Sequence, residues 1–194
     1  MVSIVFATNN ADKVKEIQSA IGDQIEVISL SDAGIDIDIP EPHPTLRQNA
    51  SAKSRTIASL TGRNCFSEDS GLEVASLDGE PGVLSARYAG DEKSFDKNID
   101  KLLAKLSFHK DRSARFRTVI SLIWENEEYF FEGICEGVII GARAGRNGFG
   151  YDPVFMPSGT NRTFAEMNLD EKNRVSHRRK AADKLVQFLI EKTR

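Results

Sequence analysis

The order of β-forming and amphipathic segments in this 194-residue chain predicts a single α/β unit spanning residues 1–194. Three observations carry that expectation. A short β-rich run at the start leads directly into a helical stripe. Two long β-rich runs lie back to back past the middle, and an amphipathic stripe closes the chain. No repeat, low-complexity tract or interdomain linker interrupts this order, and 40% hydrophobic residues suffice for a sizeable core.

Ser3–Ala7 reads as a buried first strand, broken by Thr8-Asn9-Asn10. Val14, Ile17 and Ala20/Ile21 then form one stripe of a helix. Ile25–Leu30 reads as a second strand. The segment Asp36–Pro44 holds three of the six prolines and excludes a regular helix or a central strand. Thr45–Leu60 is expected as a helix. A strand is expected to run into Glu68-Asp69 and stop where Ser70-Gly71 turns the chain, with another at Leu72–Leu77 and a turn at Asp78–Gly82. Phe95, Ile99, Leu102, Leu103 and Leu106 mark a third helix. Arg115–Glu125 and Tyr129–Ile140 are expected as long strands joined through Asn126-Glu127-Glu128, in an antiparallel part of the sheet. Ala181/Ala182, Leu185 and Phe188/Leu189 define the last helix. That helix should not extend back through Lys172, because Lys172 and His177 would then lie about 140° apart. Ser176 suits an N-cap, so a break is expected near Val175-Ser176, with Thr163–Glu166 a capping box for a shorter helix before it.

Lys and Arg number 26 against 29 Asp and Glu, a net charge of −3. This near balance argues against a broad nucleic-acid-binding surface and leaves room for a local basic pocket that takes one small anion. Cys65 and Cys135 lack ligand-like spacing and read as reduced, buried thiols. Met1–Ala7 lacks the basic residues of a signal peptide, and no apolar run approaches the ~18 residues of a membrane span. A cytoplasmic protein without a membrane partner is expected.

Four stretches have chemical potential. Thr8-Asn9-Asn10-Ala11-Asp12-Lys13 joins a strand to a helix, where free N–H groups and Lys13 suit a phosphate; an ordinary capped helix is the plainer account. Glu68-Asp69 places two like charges side by side. A hard cation such as Mg²⁺ would relieve their repulsion if the strand ends there, with Glu41 a third carboxylate; an exposed acidic turn is the alternative. In Gly148-Phe149-Gly150-Tyr151-Asp152-Pro153, glycines flank an aromatic ring and permit close approach to a flat ligand, or form a tight turn whose Phe fills the core. Lys172 and Ser176-His177-Arg178 place positive groups near a helix start, or form a solvated basic face.

Together, "ATNNADKVKEI", "NASAK", "EDSGLEV", "GEPGVLSARYAG", "GFGYDPVF" and "FAEMNLDEKNRVSHRRKA" resemble the inosine triphosphate pyrophosphatase family, the dITP/XTP pyrophosphatases. They occur in the family's order across residues 4–182. The resemblance implies a long mixed β-sheet flanked by helices, two lobes with a cleft between them, and a homodimer. It implies hydrolysis of a nucleoside triphosphate (ITP, dITP or XTP) to monophosphate and pyrophosphate with Mg²⁺. By motif, Thr8–Lys13 and Lys53 would handle phosphate, and Glu41, Glu68 and Asp69 would form the acidic centre, with Asp69 the proton acceptor and Lys13 assisting. Ser70, Phe149, Gly150, Tyr151, Asp152, Lys172, His177 and Arg178 would hold the nucleotide. Glu68 stands where an aspartate is commoner, and Gln48 where a glutamate often precedes Asn49-Ala50. Two other readings remain: a Maf-type pyrophosphatase of modified pyrimidine or methylated GTP nucleotides, and a nucleotide-binding regulator without hydrolysis.

Overall fold

The computed structural model describes residues 2–193. They divide into two compact units: one holds the chain up to Asp69, Thr118–Gly133 and the stretch from Arg178; the other holds Ser70–Arg117 and Ile134–His177. Six strands form one mixed sheet, in the order β2-β1-β3-β4-β5-β6.

In the first unit, β1 (Val2–Phe6) pairs in parallel with β2 (Ile25–Ser29), Val2 opposite Ile25 and Phe6 opposite Ser29. It also pairs in parallel with β3 (Cys65–Val74) through Val5–Cys65 and Phe6–Phe66. Helices cover both faces from Ile4 on, where Ile4, Val5 and Phe6 are buried, whereas Ser3 is exposed. Helix α1 (Ala11–Ile21) starts where the Asn10 side chain accepts from the Lys13 N–H, and ends at Gly22 in a positive-φ conformation. Helix α2 (Leu46–Thr61) is capped by Thr45, whose side chain accepts from the Gln48 N–H, and ends at left-handed Gly62. Residues 36–44 form neither helix nor strand, as their prolines require.

Even-numbered residues of β1 and β3 face α1 and the C-terminal helix α5 (His177–Lys192): Ile4, Phe6 and Phe66 pack with Ile17, Ile21, Ala182, Leu185 and Leu189. Phe6 and Phe66 stack with ring centroids 4.5 Å apart. Odd-numbered residues face the other way: Val5, Ala7 and Cys65 pack with Leu30 and with Ile57 of α2. Each strand thus sorts its side chains by parity.

In the second unit, α3 (Phe95–Lys105) is capped by Ser94 and contributes Ile99 and Leu102 to a core with Leu72, Val74, Phe116, Phe155 and Phe164. Strand β6 (Phe155–Pro157), which the residue pattern did not suggest, pairs antiparallel with the distal part of β5 (Glu127–Ile139). The Thr163–Glu166 capping box is present around a single 3₁₀ turn, Phe164–Glu166. A second box, Asn168 with Glu171, opens the short helix α4 (Leu169–Asn173). The chain then breaks before α5 starts at His177, as expected.

Two expectations are corrected. The strand does not stop at Glu68-Asp69; β3 continues through Ser70-Gly71 to Val74. Gly71 serves close approach rather than a turn, since a Cβ there would lie 2.4 Å from the Gly82 carbonyl oxygen. The connection from β4 (Ser113–Trp124) to β5 is the two-residue turn Glu125-Asn126, not Asn126–Glu128. Both turn residues have positive φ, 51° and 67°, the geometry that matches strand twist in tight hairpins.

Candidate functional site

Because β3 is unbroken, Glu68 and Asp69 point to opposite faces, and each meets different partners. Glu68 joins the face of Phe66, toward α1 and α5, and is fully buried. The Arg178 Nε lies 3.0 and 2.8 Å from its two carboxylate oxygens, and the Lys13 Nζ lies 3.2 Å from Oε1. Arg178, 2% exposed, also donates to Glu16 of α1, which is itself buried. Burial alone would push Glu68 up, but Arg178 and Lys13 outweigh it and hold the group down at about 2. Arg178 is correspondingly raised, its burial overcome by Glu68 and Glu16. These four groups are a buried network of two anions and two cations, with Lys13 at its partly exposed edge.

Asp69 joins the face of Cys65, toward α2. Its Oδ1 lies 3.7 Å from the Lys53 Nζ, which is 2.5 Å from Glu41 Oε1. Burial raises the Asp69 pKa above the ordinary aspartate value; Lys53 and Lys13 pull it down without cancelling that effect, and Glu41 adds to the rise. Neighbouring carboxylates are therefore driven apart, one locked as an anion and the other made more basic. Such divergence is how two like groups take different chemical roles.

In the second unit, Asp152 and Lys172 form a buried ion pair at 2.6 Å. Asp152 Oδ2 also accepts the Phe149 N–H at 3.0 Å. A Cβ on Gly148 would lie 2.0 Å from that same oxygen, and Gly148 has φ +74°, so no side chain fits there. The Lys172 ammonium sits 5.2 Å from the Phe149 ring centroid and 5.1 Å from that of Phe164, and Phe149 remains half-buried. His177 is buried and stacks on Phe116 at 4.7 Å. The Tyr151 hydroxyl donates to the Ser85 carbonyl from within the core. Gly150 is half-buried with φ +60°, and Ser70 is half-buried on β3.

The first unit thus gathers Thr8–Lys13, Glu41, Lys53, Glu68, Asp69 and Arg178, and the second holds Ser70, Phe149–Asp152, Lys172 and His177. Within the Thr8–Lys13 loop, the Thr8 hydroxyl accepts from the Asn10 N–H at 3.2 Å, and Asn9 donates to the Ile37 carbonyl at 2.7 Å. Ala11 and Asp12 stay exposed at the helix start. Glu16 and Asn49 went unrecognised in the sequence. The available signal was placement: Glu16 shares the α1 stripe with Ile17 and Ala20, and Asn49 shares the α2 stripe with Leu46, Ala50 and Ile57. A polar residue on an apolar stripe needs a buried partner.

Among the described residues, no three His, Cys, Asp or Glu side chains converge as a metal-ligand set. Glu68 is engaged by Arg178 and faces away from Asp69, so the trio Glu41, Glu68 and Asp69 is not gathered about one point. Glu41 and Asp69 do share one cation, Lys53. Mg²⁺ is commonly held by one or two protein carboxylates together with substrate phosphates, and this pair of hard oxygen donors fits that pattern.

The Ham1 family model matches residues 4–188 of the chain. A Christiangramia forsetii protein named dITP/XTP pyrophosphatase is 48% identical over 188 residues, covering 97% of this chain and 99% of its own. A Porphyromonas gingivalis protein of the same name is 46% identical over 191 residues, with 98% of each covered. Among solved structures, the Staphylococcus aureus Ham1 protein aligns with a TM-score of 0.89 at 40% identity, over 98% of this chain and 99% of that one. A HAM1 protein from Coxiella burnetii gives the same TM-score at 38% identity, over 98% of this chain and all (100%) of its own.

Proposed function

The chain belongs to the Ham1 family, and from that premise we propose that it hydrolyses the non-standard purine nucleoside triphosphates ITP, dITP and XTP to the monophosphate and pyrophosphate. The observation that carries the reaction is the divergence of Glu68 and Asp69 on one strand. Asp69, made more basic by burial, takes a proton from a water molecule. The water oxygen attacks the α-phosphorus, the bond from that phosphorus to the α,β-bridging oxygen breaks, and pyrophosphate departs. Lys13, Lys53 and the free N–H groups at the start of α1 neutralise the phosphate chain. Glu68 takes no proton in this scheme; it holds Lys13 and Arg178 in place.

Glu41 and Asp69 would hold Mg²⁺, which when bound supplies positive charge against the phosphoryl oxygens. Alignment and charge neutralisation then supply most of the rate gain, as in other phosphoryl transfers.

By the family resemblance, recognition of the base falls to His177, Phe149 and Lys172. A 6-keto purine presents an acceptor where adenine presents a donor, so a donor such as His177 or a loop N–H favours ITP and XTP. Phe149 offers a half-buried ring for stacking, and Lys172 is held beside it by Asp152. Arg178 fits the role of a strut better than that of a base donor, because its guanidinium is already committed to Glu68 and Glu16. The homodimer and the cytoplasmic location belong to the same proposal; no helix among the described residues is long and apolar enough to cross a membrane.

A substrate panel tests the reading. With Mg²⁺, ITP and XTP should release pyrophosphate faster than ATP, dUTP or 7-methyl-GTP. Preferential cleavage of dUTP or 7-methyl-GTP would move the protein to the Maf-type activity, and stoichiometric binding without product would make it a regulator.

A further inference from the structure

Residues 36–44 carry Glu41 but form neither helix nor strand, so side chains must hold them against α2. Asn49, 1% exposed on the inner face of α2, supplies such a hold with one carboxamide. Its Oδ1 accepts the His43 N–H at 3.0 Å, and its Nδ2 donates back to the His43 carbonyl at 3.3 Å. A carboxamide has two N–H donors and a carbonyl acceptor, so these two contacts use the acceptor and one donor. The result is a short mechanical link from α2 to the loop, and Glu41 lies two residues from the clamped His43. Lys53, one turn further along α2, bridges Glu41 and Asp69 by charge.

We propose that Asn49 is a positioning residue that sets the spacing of Glu41 from Asp69 by clamping the His43 backbone of the Glu41 loop to α2. The inference rests on the reading of Glu41 and Asp69 as the acidic centre of triphosphate hydrolysis. Lys53 alone does not fix that spacing, because an ammonium on a four-carbon stem is a flexible point charge, whereas a planar amide bonded to both the N–H and the carbonyl of one residue has one orientation. Displacement of a catalytic group by about 1 Å can cost ~100-fold in rate, so loss of the clamp should appear in turnover rather than in nucleotide affinity.

The test compares Asn49→Ser with the parent enzyme using ITP and Mg²⁺, together with hydrogen exchange at the His43 amide without nucleotide. The serine hydroxyl is too short to reach both the N–H and the carbonyl of His43. The expected result is a kcat lowered by ~10- to 100-fold with KM changed less than about threefold, and faster His43 exchange. Faster exchange with kcat within about twofold of the parent would overturn the inference, as would unchanged exchange at His43. Should Asn49→Ser fail to fold, Asn49→Leu keeps nearly the same volume while removing the acceptor and both donors, and the same results decide. A parent enzyme that releases no pyrophosphate from ITP or XTP would overturn the underlying functional reading, a failure visible before any variant is made.

Discussion

The two faces of β3 treat nearly identical carboxylates in opposite ways. On the α1–α5 face, Glu68 is enclosed by Arg178 and Lys13, which hold its proton affinity far below normal. On the α2 face, Asp69 has Lys53 at 3.7 Å and Glu41 nearby, and burial prevails over that weaker compensation. Burial is common to both; the closeness and number of cations differ. A carboxylate near guanidinium and ammonium groups is a structural anion, and one with looser compensation is a usable base.

The largest effect should come from breaking the first face. Arg178→Met removes the cation between two buried carboxylates and should cost roughly 3–5 kcal/mol, read as a fall in thermal midpoint. A loss below ~1 kcal/mol would show that Arg178 does not hold this face together.

Acid should act on the same network next. Glu68 has a folded pKa below its ordinary 4.5, so its stabilisation is complete above about 4.5 and is lost as pH falls toward about 2. The amount is on the order of 3 kcal/mol. Asp69, with a raised pKa, works in the opposite sense: its contribution is lost as pH rises above the ordinary aspartate value. Glu68→Gln should flatten the acid limb of a stability–pH curve, and an unchanged limb would contradict the assignment.

On the second face the expected loss is in turnover. Asp69→Asn should lower kcat at least ~100-fold, about 2.7 kcal/mol on the barrier, with the thermal midpoint preserved. Near-normal turnover in the folded variant would remove Asp69 from the proton-accepting role. The smallest effect is expected away from β3: His177→Ala should reduce the preference for ITP over ATP roughly tenfold, about the worth of one hydrogen bond to the base. Unchanged selectivity in competition assays would shift base recognition to other groups.

How far the sequence revealed this arrangement depended on the range of the interactions. Thr45 before an apolar stripe located the start of α2 to within one residue, because an N-cap is a local interaction. The break before His177 was legible from helix geometry alone. Ser70-Gly71 misled because glycine signals both turns and close approach. Only the tertiary position of Gly82 decides between them. That misreading affected the site, since a strand ending at Asp69 would have allowed both carboxylates to face one cation. The alternation rule, applied to a continuous strand, separates them. Glu16 and Asn49 were hidden because their partners, Arg178 and His43, lie 162 and six residues away.

The central claim is that β3 divides its adjacent carboxylates into a fixed anion and a basic proton acceptor. Titration of the carboxyl carbons of Glu68 and Asp69 by NMR tests it most directly, with the nucleotide-free protein and assignments from Glu68→Gln and Asp69→Asn. Glu68 should stay ionised down to about pH 2, while Asp69 takes up its proton above the ordinary aspartate value of 3.8. The reverse order, or both groups titrating together near pH 4, would contradict the account.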